Sequence, residues 1–219
     1  MNVGDLDATM QAASEALVAM RYLEAERRCE QALDAAVKAE AWAYVARILL
    51  PLQEARRQRR MICADAGVTL GTADRQRVVD WAAGGGAALG CLLVTLPCTI
   101  EDARAALAEV RREARYGEVL FAETHLAAGE TVSVVSLADD AIRVEMPPPD
   151  GAVSAADWFL DACEALGDRA IAWVDAPLGT RRRFDALYGL LEAAPDHEKL
   201  HQRLADAARA LIASPAASG

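Results

Sequence analysis

The spacing of the apolar residues changes near residue 90, from a helical period to a run typical of a buried strand. Upstream, apolar or small residues recur every three or four positions along 22–36, and charged residues occupy the other face. This pattern predicts an amphipathic helix. The segment 6–19 has similar spacing, and the break at Met20-Arg21 is short. We therefore expect the two helices to form an antiparallel hairpin.

The middle of the chain predicts a small sheet. The run 90–96 is continuously apolar, as in a strand buried on both faces. Thr99 follows at the position of a helix N-cap, so a helix is expected to begin at about Ile100. Three further strands are predicted from apolar or alternating runs at 119–126, 131–137 and 141–146. Together these elements form a β-α-β-β-β unit.

Glycines and prolines give the predicted boundaries between units. Gly84–Gly86 precede the apolar run, and three consecutive prolines follow Met146. Helical patterns return after the prolines, with a break expected at Gly167. The prediction is an α+β, mostly helical protein with an N-terminal helical unit at 1–66, a linker with a glycine-rich segment at 67–89, the small α/β unit at 90–146, a proline-rich linker at 147–151 and a C-terminal helical unit at 152–219.

Composition narrows the classes of function. A content of 53% hydrophobic and 26% charged residues is typical of a globular chain. The formal net charge of −10 repels phosphate backbones and anionic lipid, so we expect no nucleic-acid partner. The uncharged run 81–100 is interrupted by glycines and by Pro97, which predicts no membrane span. The start Met1–Asp5 has no leader pattern, which predicts a cytoplasmic protein.

Small residues at the predicted helix contacts make the first third resemble a known repeat. The matching positions are Ala13, Tyr22, Ala25, Ala32 and Leu33. They resemble the tetratricopeptide repeat (TPR), in which paired helices touch through small residues. A second unit begins near Glu40, and Leu52–Ala55 resembles Tyr22–Ala25. This unit is degenerate, because Pro51 comes where the first unit has no proline; in the first unit, Thr9 replaces the usual aromatic. The resemblance implies helical hairpins whose groove holds an extended peptide or a partner helix.

The densest positive cluster lies near the end of this first third. Its members are Arg56, Arg57, Arg59 and Arg60. Two interpretations stay open. The guanidinium groups bind a partner, which would then be an acidic peptide, or they pair with nearby acids such as Glu24 and Glu26 on a solvated outer face.

A second motif lies near the C-terminus. His197-Glu198-Lys199-Leu200-His201 matches HExxH, in which two histidines on one helix face bind zinc and the glutamate acts on water. No His or Glu follows His201 to complete three ligands, and Lys199 places a cation beside the motif. The favoured interpretation is a solvated helix start, and the alternative is a metal-dependent hydrolase that uses His197, Glu198 and His201.

These patterns predict a non-enzymatic interaction or scaffold module that binds a protein or peptide and needs no cofactor. The hydrolase stays open as an alternative function. A structural homo-oligomer is the second alternative function, because a solenoid of fewer than three repeats cannot bury its own ends and a second copy of the chain would cover them.

Overall fold

The computed structural model describes residues 3–86, 88–126, 131–149, 152–174 and 178–213. The α-helices are α1 Val3–Val18, α2 Tyr22–Lys38, α3 Trp42–Ala66, α4 Arg75–Ala83, α5 Ile100–Arg112, α6 Ala155–Trp173, α7 Thr180–Gly189 and α8 Glu198–Ala213, with a short 3-10 helix at Leu190–Glu192. The strands are β1 Val68–Thr72, β2 Ala88–Thr95, β3 Tyr116–Ala122, β4 Val132–Val135 and β5 Arg143–Met146. These eight helices and five strands of the described residues confirm the predicted α+β, mostly helical fold class.

The chain divides into two compact units. The helical unit comprises Met1–Gln58, Ile171–Leu191 and Pro195–Gly219. The sheet unit comprises Arg59–Ala170 and Glu192–Ala194. The C-terminal helices α7 and α8 thus belong to the same unit as α1 and α2, whereas the sequence predicted a separate unit at 152–219.

Small residues form the contacts of the helical unit. Ala16 of α1, Ala25 of α2 and Ala55 of α3 pack together, with Leu17 against them. The buried face of α2 carries the predicted stripe Ala25, Cys29, Ala32, Leu33 and Ala36. The first two predicted helices are therefore present, and α1–α3 are compatible with a helical repeat.

Two helices continue through a proline or a glycine, and the break expected at Gly167 is wrong. α3 includes Pro51 in its interior and continues from Trp42 to Ala66. The buried residues Leu49, Leu52 and Ala55 form one stripe across the proline. Packing of this stripe outweighs the backbone hydrogen bond that an interior proline removes. α6 continues through Gly167 in the same way.

The sheet unit contains one five-stranded sheet in the order β1-β2-β3-β4-β5. The first three strands are parallel, and β3, β4 and β5 pair antiparallel. β2 is buried from Gly90 to Thr95, as its apolar sequence predicts. α5 begins after Thr99, which forms a capping box with Asp102 and confirms the predicted helix start. One sheet face packs Leu92, Val94, Val119 and Phe121 against residues of α4 and α5.

The segment 67–89 differs from the predicted linker, because it contains β1 and α4. β1 pairs in parallel with β2, which is distant in sequence. α4 is capped by Asp74, whose carboxylate accepts hydrogen bonds from the backbone N–H of Gln76 at 2.8 Å and of Arg77 at 3.3 Å. Ala87 lies outside the described residues.

The proline-rich segment 147–151 is described through Pro149. The carbonyl oxygen of Pro147 accepts a hydrogen bond of 2.8 Å from the indole N–H of Trp158 on α6, within the sheet unit. Residues 150–151 lie outside the described residues, so the linker stays a prediction.

Candidate functional site

Arg56, the first arginine of the positive cluster, is nearly buried in the helical unit. Its Nε donates to Glu26 at 3.1 Å and its Nη2 to Glu30 at 2.8 Å. Its Nη1 donates to the carbonyl oxygen of Pro195 at 3.0 Å. Glu26 is one of the two acids expected to neutralise the cluster, whereas Glu24 bonds an arginine of its own helix. The Arg56 guanidinium of α3 is therefore hydrogen-bonded both to α2 and to Pro195, which precedes α8.

Arg59 and Arg60 are buried in the sheet unit. Nε of Arg59 donates to Glu118 of β3 at 2.8 Å. Burial acts to raise the pKa of Glu118, but the charges of Arg59 and Arg60 outweigh burial and hold that pKa below its ordinary value. These two guanidinium groups compensate a carboxylate that would otherwise be too costly to bury.

Arg57 is the member of the cluster with a half-exposed side chain. Its Nε and Nη2 donate to Glu54 at 3.0 and 2.9 Å. The hydrogen bonds to Glu54 raise the pKa of Arg57. The four arginines thus do not form one exposed patch, and binding of an acidic partner by them stays a prediction.

The histidines of the HExxH segment are both buried and engaged with backbone. His197 precedes α8, and its Nδ1 accepts a hydrogen bond of 3.3 Å from the backbone N–H of Leu200, as an N-cap residue does. Nδ1 of His201 donates to the carbonyl oxygen of His197 at 3.0 Å. Among the described residues, His197, Glu198 and His201 do not bring three ligand atoms together.

Burial also sets the charge of His201. Desolvation lowers the pKa of its imidazole to about 4, so the ring is neutral at pH 7. Glu198, the glutamate of the motif, is exposed and accepts a hydrogen bond of 2.7 Å from Gln202. The segment therefore forms a helix start, but the two histidines are buried, so the solvated helix start expected from the sequence is wrong in its solvation. The hydrolase alternative stays a prediction.

A groove with a cavity of about 320 Å³ lies between α3 and α8 in the helical unit. From α3 it is lined by Ala46, Leu49, Leu50 and Gln53. From α8 it is lined by Glu198, His201, Gln202, Ala205, Asp206 and Arg209. Positions three or four apart share one helix face, so each helix presents a single stripe to this α3–α8 groove.

Gln53 is the unusual residue of the α3–α8 groove. It is 6% exposed, and its carboxamide forms no hydrogen bond with the described residues. The nitrogen and oxygen of this carboxamide are not fully buried, so they stay accessible to water or to a ligand in the groove. Nε2 of His201 is buried without a hydrogen bond among the described residues. The groove thus contains polar groups whose hydrogen-bonding capacity the fold does not use.

The rim of the α3–α8 groove is apolar on one side and charged on the other. Leu50 is 73% exposed, whereas the adjacent Leu49 is buried. On α8, Arg209 pairs with Asp206 at 2.7 Å. Sequence reasoning missed this site. The available signal was Gln53, a polar residue beside the apolar stripe of α3.

A second groove lies in the sheet unit, between α4 and α5, with a cavity of about 290 Å³. Of its charged lining residues, Arg75 and Asp102 form an ion pair at 2.8 Å, and Glu109 pairs with Arg112 at 2.5 Å. Asp102 also belongs to the capping box of α5. Because these polar groups have partners within the fold, this groove is a weaker candidate than the α3–α8 groove.

Comparison with protein-family profiles, with curated proteins and with solved structures found no match to this chain. None of the described helices has the length and apolarity that crossing a membrane requires. Among the described residues, the α3–α8 groove is the feature that most clearly indicates a function.

Proposed function

We propose that the chain is a peptide-binding module and that the α3–α8 groove is its binding site. The observation that carries this proposal is Gln53, a nearly buried residue whose accessible carboxamide has no hydrogen-bond partner among the described residues, beside the exposed Leu50. A peptide has groups that match both the Gln53 carboxamide and the Leu50 side chain. Its backbone N–H and C=O groups match the donor and acceptor of a carboxamide, and an apolar side chain covers Leu50.

The helical packing supports a TPR-like interpretation of this unit. Ala16, Ala25 and Ala55 make the close contacts between helices that the resemblance implies. Repeat proteins of this kind hold extended peptides or partner helices in the grooves between their helices. In this chain α8 supplies the second wall of the groove, beside the unbroken α3.

The proposed site differs from the arginine cluster. Arg56 and Arg59 already hold internal carboxylates, and Arg57 is paired with Glu54. An acidic peptide would have to compete with these carboxylates, which lie on the same chain. The α3–α8 groove requires no such exchange, because the carboxamide of Gln53 is unengaged among the described residues.

Selection from a random peptide library displayed on phage tests the proposal. Peptides enriched on the wild-type protein are re-tested against Leu50→Asp, which places a charge at the rim of the groove. The matched control is Val18→Asp, since Val18 is an exposed aliphatic residue of the same unit, at the end of α1. We expect Leu50→Asp to abolish binding and Val18→Asp to retain it.

Two results would overturn this assignment. One is the absence of any peptide enriched above the blank support. The other is a set of peptides that bind Leu50→Asp as well as they bind the wild type. If purified protein elutes as a dimer that only Leu50→Asp dissociates, the groove holds a second copy of the chain, and the structural homo-oligomer replaces the peptide-binding module.

A further inference from the structure

The charges around the α3–α8 groove are unevenly compensated. The carboxylate of Asp206 has a cationic partner, since Arg209 donates to it at 2.7 Å. The carboxylate of Glu198 accepts only a neutral amide N–H, from Gln202 at 2.7 Å. The positive charge of Arg57 is near enough to interact with Glu198, but its guanidinium is hydrogen-bonded to Glu54. Glu198 is thus an exposed anion at the groove without a direct ion pair among the described residues.

No positive charge from the histidine offsets Glu198 at neutral pH. His201 lines the same groove, and burial lowers the pKa of its imidazole to about 4. The ring is therefore uncharged under physiological conditions. The excess charge at the groove agrees in sign with the formal net charge of the whole chain, which is −10.

We propose that the occupant of the α3–α8 groove is a basic peptide segment in which an apolar side chain lies on Leu50, a backbone amide bonds Gln53, and a Lys or Arg side chain reaches Glu198. This inference rests on the proposed peptide-binding function and specifies its partner. Charge complementarity at a rim steers association and selects among partners more than it adds affinity. The apolar contact and the amide therefore supply the affinity, and Glu198 supplies the selectivity.

A second copy of this chain is a poorer occupant on the same grounds. Two copies each carry a net charge of −10 and repel one another. An acidic peptide is disfavoured by Glu198 directly. A small amide-containing molecule could engage Gln53, but it would not use the exposed Leu50 and Glu198 together.

The test uses the peptides selected on the wild-type protein, first by their composition. We expect Lys or Arg to be enriched next to Leu, Met or Phe. The best peptide is then synthesised with a fluorescent label, and its Kd is measured by anisotropy against the variants Glu198→Gln and Gln53→Leu. The matched control is Glu15→Gln. Glu15 is likewise an exposed helical carboxylate that accepts from a neutral glutamine four residues away, Gln11 at 3.0 Å.

Glu198→Gln is expected to weaken binding by about threefold to tenfold and to reduce its dependence on salt, because a rim charge acts through screened attraction. Gln53→Leu is expected to weaken binding by about tenfold, since it leaves the bound amide unsatisfied. Glu15→Gln should leave the Kd unchanged. Thermal melts of each variant confirm that loss of binding is not loss of folding.

The outcomes separate this inference from the proposed function. If the enriched peptides are acidic, or if Glu198→Gln does not change the Kd, the partner is not basic. If Leu50→Asp still abolishes binding in that case, the α3–α8 groove remains the binding site. Binding that is insensitive to Leu50→Asp removes the site and the inference together. Inhibition by acetamide with no sensitivity to Glu198→Gln identifies a small amide ligand instead.

Discussion

Nε of Arg56 donates to Oε1 of Glu26 at 3.1 Å, and the two side chains are only 9% and 8% exposed. This ion pair joins α2 to α3 inside the helical unit. Removing both charges from water is costly, and the attraction between them compensates that cost only while both partners are present. Loss of one partner is therefore expected to destabilise the helical unit strongly, even if the intact pair contributes little net stability.

Replacement of Arg56 alone should be severe. We expect Arg56→Met to lower the free energy of unfolding by about 3–5 kcal/mol, because the buried Glu26 loses its ion pair with this guanidinium, and Glu30 and the carbonyl oxygen of Pro195 lose their donor. The double variant Arg56→Met with Glu26→Leu should recover most of that loss. Arg57→Met is the control and should cost about 0–1 kcal/mol, since its pair with Glu54 is half exposed. Urea denaturation measures all three, and equal losses for Arg56→Met and Arg57→Met would contradict the assignment.

The small residues of α2 give the second prediction. Ala25 and Ala32 are fully buried, whereas Ala35 is half-buried on the other side of the helix. Leu at position 25 or 32 should force neighbouring helices apart and cost about 1–3 kcal/mol. Leu at position 35 should be nearly neutral, because Leu and Ala have similar helix propensities. Thermal melts with the same small effect at all three positions would show that close packing does not limit residue size in α2.

Gly90 on β2 gives the third prediction, for the sheet unit. Its φ is +90°, and a Cβ there would lie 2.3 Å from the carbonyl oxygen of Gly67. Gly90→Ala should cost at least about 1–3 kcal/mol from backbone strain, with the steric overlap in addition. Gly85→Ala is the control, because nothing lies within 4 Å of its Cβ position. A Gly90→Ala variant as stable in urea as Gly85→Ala would rule out this close approach of the two strands.

Local signals were sufficient to predict much of the fold. The apolar stripe of α2, the buried run of β2 and the cap at Thr99 all depend on residues within a few positions of one another. Periodicity and cap chemistry express such local preferences directly. The sequence also predicts Glu26 as a partner for the arginines, because it lies on a neighbouring predicted helix.

The remaining features depend on contacts between distant parts of the chain. β1 is short and half-buried, and it gains its hydrogen bonds only by pairing with β2. α3 continues through Pro51 because neighbouring elements bury its stripe. The α3–α8 groove was missed for the same reason, since Gln53 and His201 meet only through tertiary packing. α4 differs from these features, because its start has a local signal in Asp74, whose carboxylate caps the helix.

His201 makes the stability of the protein depend on pH. Burial lowers the pKa of its imidazole from 6.5 to about 4 in the folded state. Between these two values the unfolded chain binds a proton that the folded chain does not. Stability must therefore fall as the pH decreases from about 6.5 towards 4, and this contribution is constant above that window.

We expect His201→Gln to flatten this dependence. A neutral glutamine can still donate to the carbonyl oxygen of His197, but it does not titrate. The difference in unfolding free energy between wild type and variant should change by up to about 3 kcal/mol between pH 7 and pH 4, in the direction that favours the variant in acid. Urea denaturation across this range measures the difference, with His125→Gln, an exposed histidine, as the control. Parallel pH profiles for wild type and His201→Gln would show that His201 is protonated as readily in the folded state as in the unfolded chain.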